Sequence, residues 1–222
     1  MKGLVQIMKL QLLEVAASML AAILIMILHE VPKSLLFLFR RRREEKSIEE
    51  KKKWKWSSVF LIHQYIDPIG LLLLITTYGG FSKPYMFRIR DRKTNFMIGL
   101  LGFFNLFLIY VCSMCILRYQ YQIITPEGLK NLTGGIWNCF GNLFWIYMGI
   151  LSLGMFLINL FPVSIFDMGL IIAGNSPRAY LRMIQQDSLV KLIVLMTMAI
   201  GVNTSLTLMI FRAVLSLLGG IS

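Results

Sequence analysis

The sequence predicts an all-α protein that crosses a membrane several times. Of its 222 residues, 57% are hydrophobic and 15% are charged, and the mean hydropathy is +0.69. This composition supplies more apolar segments than one water-soluble core can bury. A transmembrane helix needs about 20 mostly apolar residues, and four stretches meet that length: 10–28, 96–117, 136–160 and 189–211. We expect one membrane domain over residues 1–222 with four to five spans.

A fifth apolar stretch, residues 59–80, has the length of a span but not its regularity. It contains Asp67 directly before Pro68, and a proline inside a helix removes a backbone donor and clashes with the preceding turn. Both of its flanking sequences are basic, and basic loops tend to stay in the cytoplasm. We therefore favour a re-entrant segment that breaks near Asp67, with a full crossing as the alternative.

The net charge of +12 is concentrated in short connecting segments. The loop at residues 40–57 carries nine lysines and arginines against four glutamates, so the positive-inside rule places it in the cytoplasm. Basic residues distributed in this way between apolar spans indicate a lipid bilayer as the surroundings. They argue against nucleic acid as a partner.

Ionisable residues within or beside the spans are the candidates for chemistry, because burying them in a membrane is costly. His29, Glu30 and Asp167 are predicted at the cytoplasmic ends of two helices, and His63 and Asp67 enter from that same side. The sequence therefore predicts that these residues can meet. The alternative is that each one only caps its own helix end.

Two motifs place several of these residues in a known pattern. His29-Glu30 lies near the end of the first span, and the later sequence reads Asn159-Leu-Phe-Pro162-Val-Ser-Ile-Phe-Asp167. A His-Glu pair followed by Asn-x-x-Pro-x-x-x-x-Asp resembles the two-part signature of the site-2 protease family of intramembrane zinc metalloproteases. The stretches YIDPIG, GGFSKP and, less well, GLLGFFNL resemble further motifs of its compact prokaryotic branch.

The resemblance implies a fold, a location and a role for each residue. It implies three core helices, at about 10–32, 96–117 and 136–160, in the cell membrane of a prokaryote. His29 and Asp167 would be zinc ligands and Glu30 the general base that polarises the bound water. Asn159 and Pro162 would open the helix that receives an unwound transmembrane peptide.

The first motif departs from the family at one position, because Lys33 stands where the second zinc histidine belongs. A protonated lysine has three donors and no acceptor, and two protein ligands fall short of the three that catalytic zinc sites keep. We therefore expect no tight zinc site and no cofactor. Either the Lys33 ammonium replaces the metal and neutralises Glu30 and Asp167, or Pro32 ends the helix and Lys33 extends to the lipid headgroups.

Three functions follow from these observations. The leading expectation is a catalytically compromised protease homologue that binds or regulates another membrane protein. One alternative is an active intramembrane zinc protease in which His63 joins His29 and Asp167 as the missing ligand. The other is a structural or assembly subunit that retains only the fold, and it predicts that Glu30 and Asp167 can be replaced without functional effect.

Overall fold

The computed structural model describes residues 2–44, 57, 59–84, 91–119 and 136–219. Within these ranges all regular elements are helical, which confirms the all-α prediction. The helices are α1 Lys2–Glu44, α2 Pro68–Thr77, α3 Arg92–Tyr119, α4 Ile136–Asn159, α5 Asp167–Asn175, α6 Pro177–Ala199 and α7 Val202–Gly219, with a short 3-10 turn at Ile62–Tyr65. Most of the basic loop predicted at 40–57 lies outside the described residues.

Within the described part of the chain, three helices are long and apolar enough to cross a membrane. They are the Leu10–Arg43 stretch of α1, all of α3, and Trp137–Asn159 of α4, which agrees with three of the predicted spans. The first helix is much longer than the 10–28 span, because Pro32 lies inside it and does not end it. Buried residues on both sides of the proline, such as Met26 and Leu38, keep the helix packed, and this packing outweighs the loss of one backbone hydrogen bond.

The predicted span at 189–211 falls on two helices, and its crossing of the membrane stays a prediction. Helices α6 and α7 meet at a break and are bent by 63° relative to each other. Gly201 lies at the break with a φ of +84°, a conformation that favours glycine. Beyond it, Asn203 Nδ2 and Thr204 Oγ1 both donate to the Thr77 carbonyl, at 3.3 and 2.8 Å. Helices α6 and α7 count as a fourth span only if the two together cross the membrane once.

The 59–80 stretch does not form a continuous helix. Its helical part, α2, has 10 residues and a length of about 15 Å, against a hydrocarbon thickness of about 30 Å. The helix begins where the sequence predicts a break: Asp67 Oδ1 accepts a 2.8 Å hydrogen bond from Gly70 N, and Pro68 occupies the first helical position. Re-entry into the bilayer stays a prediction.

Helices α1, α3 and α4 pack against one another and form the core of the bundle. At its centre lies an apolar cluster to which α2 also contributes: Ala21, Ala22, Ile25, Met26, Leu74, Leu106, Met148, Leu151 and Met155. Helix α5 packs on α3, and α7 packs on α4. This arrangement brings the start of α5 to the side of α1, close to His29.

Candidate functional site

Five polar side chains from three parts of the chain meet inside the bundle, and we call them the polar cluster. They are His29, Glu30 and Lys33 on α1, Ser82 in the segment after α2, and Asp167 at the start of α5. Each is at most 6% exposed. Burial of this degree is costly for charged groups unless they are paired.

Lys33 lies between the two carboxylates of the cluster. Its Nζ donates to Glu30 Oε1 at 2.7 Å and to Asp167 Oδ1 at 2.9 Å. The Lys33 residue is 2% exposed, and α1 continues past Pro32 to Glu44. The alternative in which Pro32 ends the helix and Lys33 extends to the headgroups is therefore wrong.

His29 connects the remaining members of the cluster. Its Nε2 lies 2.7 Å from Asp167 Oδ2, and its Nδ1 lies 3.0 Å from Ser82 Oγ. Ser82 Oγ donates to Glu30 Oε1 at 2.6 Å, so Nδ1 must be the donor to Ser82. A ring that is protonated on both nitrogens satisfies all of these contacts, and the cluster then holds two positive and two negative charges.

The Asp167 side chain reaches the polar cluster because Gly102 on α3 leaves room for its carboxylate and Asn159 on α4 holds its backbone. Asn159, the last residue of α4, accepts a hydrogen bond from Asp167 N at 3.2 Å through Oδ1 and donates to Met155 O at 2.9 Å through Nδ2. Gly102 on α3 faces the carboxylate so closely that a Cβ there would overlap it. The second motif thus places the Asp167 carboxylate through backbone contacts.

The loop between α4 and α5 is also held from the other side, by α6. Asp187 accepts hydrogen bonds from Ser164 N and from Ser164 Oγ, both at 2.8 Å. Lys191 pairs with the same carboxylate at 2.6 Å. Asp187 therefore orients the loop that carries Asp167 into the bundle.

One oxygen of the polar cluster has no partner among the described residues. Glu30 Oε1 accepts from both Lys33 and Ser82, whereas Glu30 Oε2 is buried and makes no hydrogen bond. An unsatisfied buried carboxylate oxygen is costly. It is the oxygen of the Glu30 carboxylate that accepts from no donor in the described part of the chain.

The other residues predicted for the site lie elsewhere. Pro162 is exposed and borders an apolar cavity of about 310 Å³, whose other lining residues are Leu157, Ile158, Leu160, Phe161, Thr197, Val202, Asn203 and Leu206. Asp67 caps α2, as the capping alternative expects. His63 is exposed in the 3-10 turn.

The active-protease alternative, with His63 as the missing ligand, stays a prediction. Across the described ranges, no group of three or more His, Cys, Asp or Glu residues is arranged to hold a metal ion. His63 therefore does not join His29 and Asp167 in such a group.

Sequence reasoning missed Ser82, Asp187 and Gly102. Ser82 lies inside the GGFSKP stretch and Gly102 inside GLLGFFNL, so both were present in segments already singled out. A serine that closely follows two glycines predicts a turn, not a contact with a residue 52 positions earlier. Asp187 carries no sequence signal that links it to Ser164.

Comparisons with known proteins give no independent assignment. No family model matches the chain, and neither the curated proteins nor the solved structures yield a match. The chemistry of the polar cluster is therefore the basis for a function.

Proposed function

We propose that this protein is a non-hydrolytic homologue of the site-2 proteases that binds or regulates another membrane protein in the cell membrane of a prokaryote. The observation that carries the proposal is the position of Lys33, whose ammonium bridges Glu30 and Asp167 at 2.7 and 2.9 Å. In the family resemblance these carboxylates are the general base and the third zinc ligand. Here both are occupied by an ion pair.

The residues present do not fit a catalytic zinc ion. His29 Nε2 and Asp167 Oδ2 are 2.7 Å apart, so the two groups could face a single ion, but a catalytic zinc needs about three protein ligands. The Lys33 ammonium beside them would repel a dication.

The cavity beside Pro162 supports a binding role. Its walls come from the end of α4, from α6 and from α7, and they are almost entirely apolar. A concave apolar site within a membrane bundle accommodates apolar side chains of a transmembrane peptide. In this proposal, Pro162 shapes the cavity that receives the peptide, Asn159 holds the backbone of Asp167, and the polar cluster only holds the surrounding helices in place.

Zinc content tests the loss of hydrolysis. We expect elemental analysis of the purified protein to find no stoichiometric zinc in the wild type. Lys33→His should gain up to one zinc per chain, and Lys33→His combined with Asp167→Ala should lose it again. Lys93→His, at an exposed lysine on α3, controls for an added histidine. Zinc near one per chain in the wild type, lost in Asp167→Ala, would overturn the proposal.

Photo-crosslinking tests the binding role. A synthetic apolar transmembrane peptide with a photoactivatable residue should crosslink to residues of the cavity in reconstituted vesicles. Leu206→Trp would fill part of the cavity and should reduce the yield. Leu217→Trp, at an exposed leucine of the same helix outside the cavity lining, should not. Equal yields from both variants would favour the structural-subunit alternative.

A further inference from the structure

Two adjoining clefts lie between α1 and α3, and neither includes a member of the polar cluster. The arginine cleft, of about 340 Å³, is lined by Leu36, Phe39, Arg40, Arg43 and Met97. The phenylalanine groove, of about 670 Å³, is lined by Leu36, Met97, Leu100, Leu101, Phe103, Phe104, Phe107 and Phe156. Because the two clefts share Leu36 and Met97, the arginine cleft leads directly into the phenylalanine groove.

The dimensions of the clefts match one leaflet of a bilayer. Arg40 and Arg43 lie in the last turns of the apolar stretch of α1, which ends at Arg43. From Met97 to Phe107 the groove follows α3 for about 15 Å, or roughly half of a hydrocarbon core of about 30 Å. The arginines therefore lie at headgroup level when the groove lies among the acyl chains of the same leaflet.

The Arg40 side chain is held in place at the junction of the two clefts. Its Nη1 donates to Thr94 Oγ1 at 3.0 Å, and its Nη2 lies 2.8 Å from Met97 Sδ. A guanidinium has five N–H donors in a rigid fork that matches phosphate oxygens, so donors remain for a ligand. A fixed side chain also loses less conformational entropy when it binds.

The charge around the arginine cleft is positive. Arg40 Nη1 lies 3.5 Å from Asp91 Oδ2. That oxygen also accepts hydrogen bonds from Thr94 N and Thr94 Oγ1. Arg43 is exposed and makes no ion pair with any residue in the described part of the chain. Among the described side chains, two arginines against one aspartate leave one net positive charge at the mouth of the phenylalanine groove.

We propose that these clefts bind one anionic glycerophospholipid, with its phosphate at Arg40 and Arg43 and one acyl chain in the phenylalanine groove. The ligand must carry both features, because the cleft attracts an anion and the groove takes a hydrocarbon chain. A net negative headgroup gains from juxtamembrane arginines, whereas a zwitterionic headgroup has no net charge to attract. This site is independent of the function proposed above.

Native mass spectrometry of the purified full-length protein with added lipid tests the charge requirement. We expect one phosphatidylglycerol to bind per chain more tightly than phosphatidylcholine. The pair Arg40→Gln with Arg43→Gln should weaken phosphatidylglycerol binding roughly tenfold. The pair Arg178→Gln with Arg182→Gln, at exposed arginines on α6, changes the charge equally and should leave binding unchanged.

Two further binding experiments, one with groove variants and one with a competitor, identify the ligand class. Leu100→Trp would fill part of the groove and should weaken phosphatidylglycerol binding, whereas Leu108→Trp, exposed on the same helix but outside the groove, should not. Glycerol 3-phosphate, which lacks acyl chains, should not compete at equal concentration. Because Arg40 also contacts Thr94, Arg43→Gln alone serves as the variant that leaves this packing intact.

Several results would overturn the proposal. Equal affinity for the two lipids, or equal losses from the two arginine pairs, would show no specific anionic site. Unchanged binding in Arg43→Gln would remove this arginine from the site. Full competition by glycerol 3-phosphate would show a site for phosphate alone, without a role for the groove.

Discussion

Lys33 Nζ lies 2.9 Å from Asp167 Oδ1, although the two residues are 134 positions apart in the sequence. The contact joins α1, which begins the chain, to the loop and short helix that follow α4. His29 makes a second connection between the same elements at 2.7 Å. The polar cluster thus links helices that are far apart in the sequence, and it is where the His29-Glu30 motif contacts the motif that ends at Asp167.

Removal of the Lys33 charge should destabilise the protein. Lys33→Met retains an apolar stem but leaves Glu30 and Asp167 without their shared cation, which costs about 3–5 kcal/mol when buried partners are broken. Unfolding in detergent, followed by circular dichroism, measures the loss. Lys93→Met, at an exposed lysine, should change stability by less than about 0.5 kcal/mol. Equal stability of the two variants would contradict a central role for Lys33.

The two ends of this ion pair should be energetically coupled. Lys33→Met and Asp167→Asn each remove one charge of the contact and leave the other with one partner fewer, whereas the double variant removes both charges of the contact. The double variant should therefore be more stable than the sum of the two single effects predicts, by about 0.5–3 kcal/mol. A double-mutant cycle from denaturant unfolding measures this coupling. Additive effects would mean that the two side chains do not interact in solution.

Gly102 should tolerate no side chain. A Cβ at this position overlaps the Asp167 carboxylate, and overpacking of this kind costs about 1–3 kcal/mol. Gly149→Ala is the matched control on α4, because its Cβ would meet the Phe211 ring at 3.0 Å and Ser113 at 3.7 Å. Thermal unfolding should rank Gly102→Ala clearly below Gly149→Ala. The reverse order would show that Asp167 can move without loss.

Asp187 should stabilise the loop before Asp167. Asp187→Asn weakens the two hydrogen bonds from Ser164 and the ion pair with Lys191, for an expected cost of about 1–3 kcal/mol. Gln186→Asn, at the exposed neighbouring residue, is the control and should be nearly neutral. Limited proteolysis should cut residues 160–166 faster in Asp187→Asn than in the control. Equal cleavage rates would exclude this anchoring role.

Asp91 should make part of the stability depend on pH. Hydrogen bonds from Thr94, together with the nearby Arg40 guanidinium, hold the pKa of Asp91 below its ordinary value of 3.8. A lowered folded-state pKa stabilises the protein above the unfolded-state value, and this contribution is lost as the pH falls through the folded-state pKa. As the pH falls from 5 through the folded-state pKa of Asp91, the free energy of unfolding should therefore decrease less in Asp91→Asn than in the wild type. Parallel curves would contradict the prediction.

Much of the helical framework follows from local sequence. Long apolar runs predict α1, α3 and α4, because a span needs only its own residues to satisfy its backbone. The break at Asp67-Pro68 is equally local, since the aspartate caps the helix that the proline begins. Even the alignment of Glu30 and Lys33 follows from helical spacing, because residues three apart share a face.

The sequence alone determined an apolar, all-helical chain, but it placed His29 and Glu30 at the end of the first helix, whereas they lie in the interior of α1. Only the tertiary structure decided which polar residues meet: Lys33 with Asp167, and Ser82 with Glu30 and His29. It also decided that α1 continues through Pro32 and that α6 and α7 separate at Gly201. Periodicity shows which face of a helix is buried, whereas the partner of that face depends on packing between segments far apart in the chain.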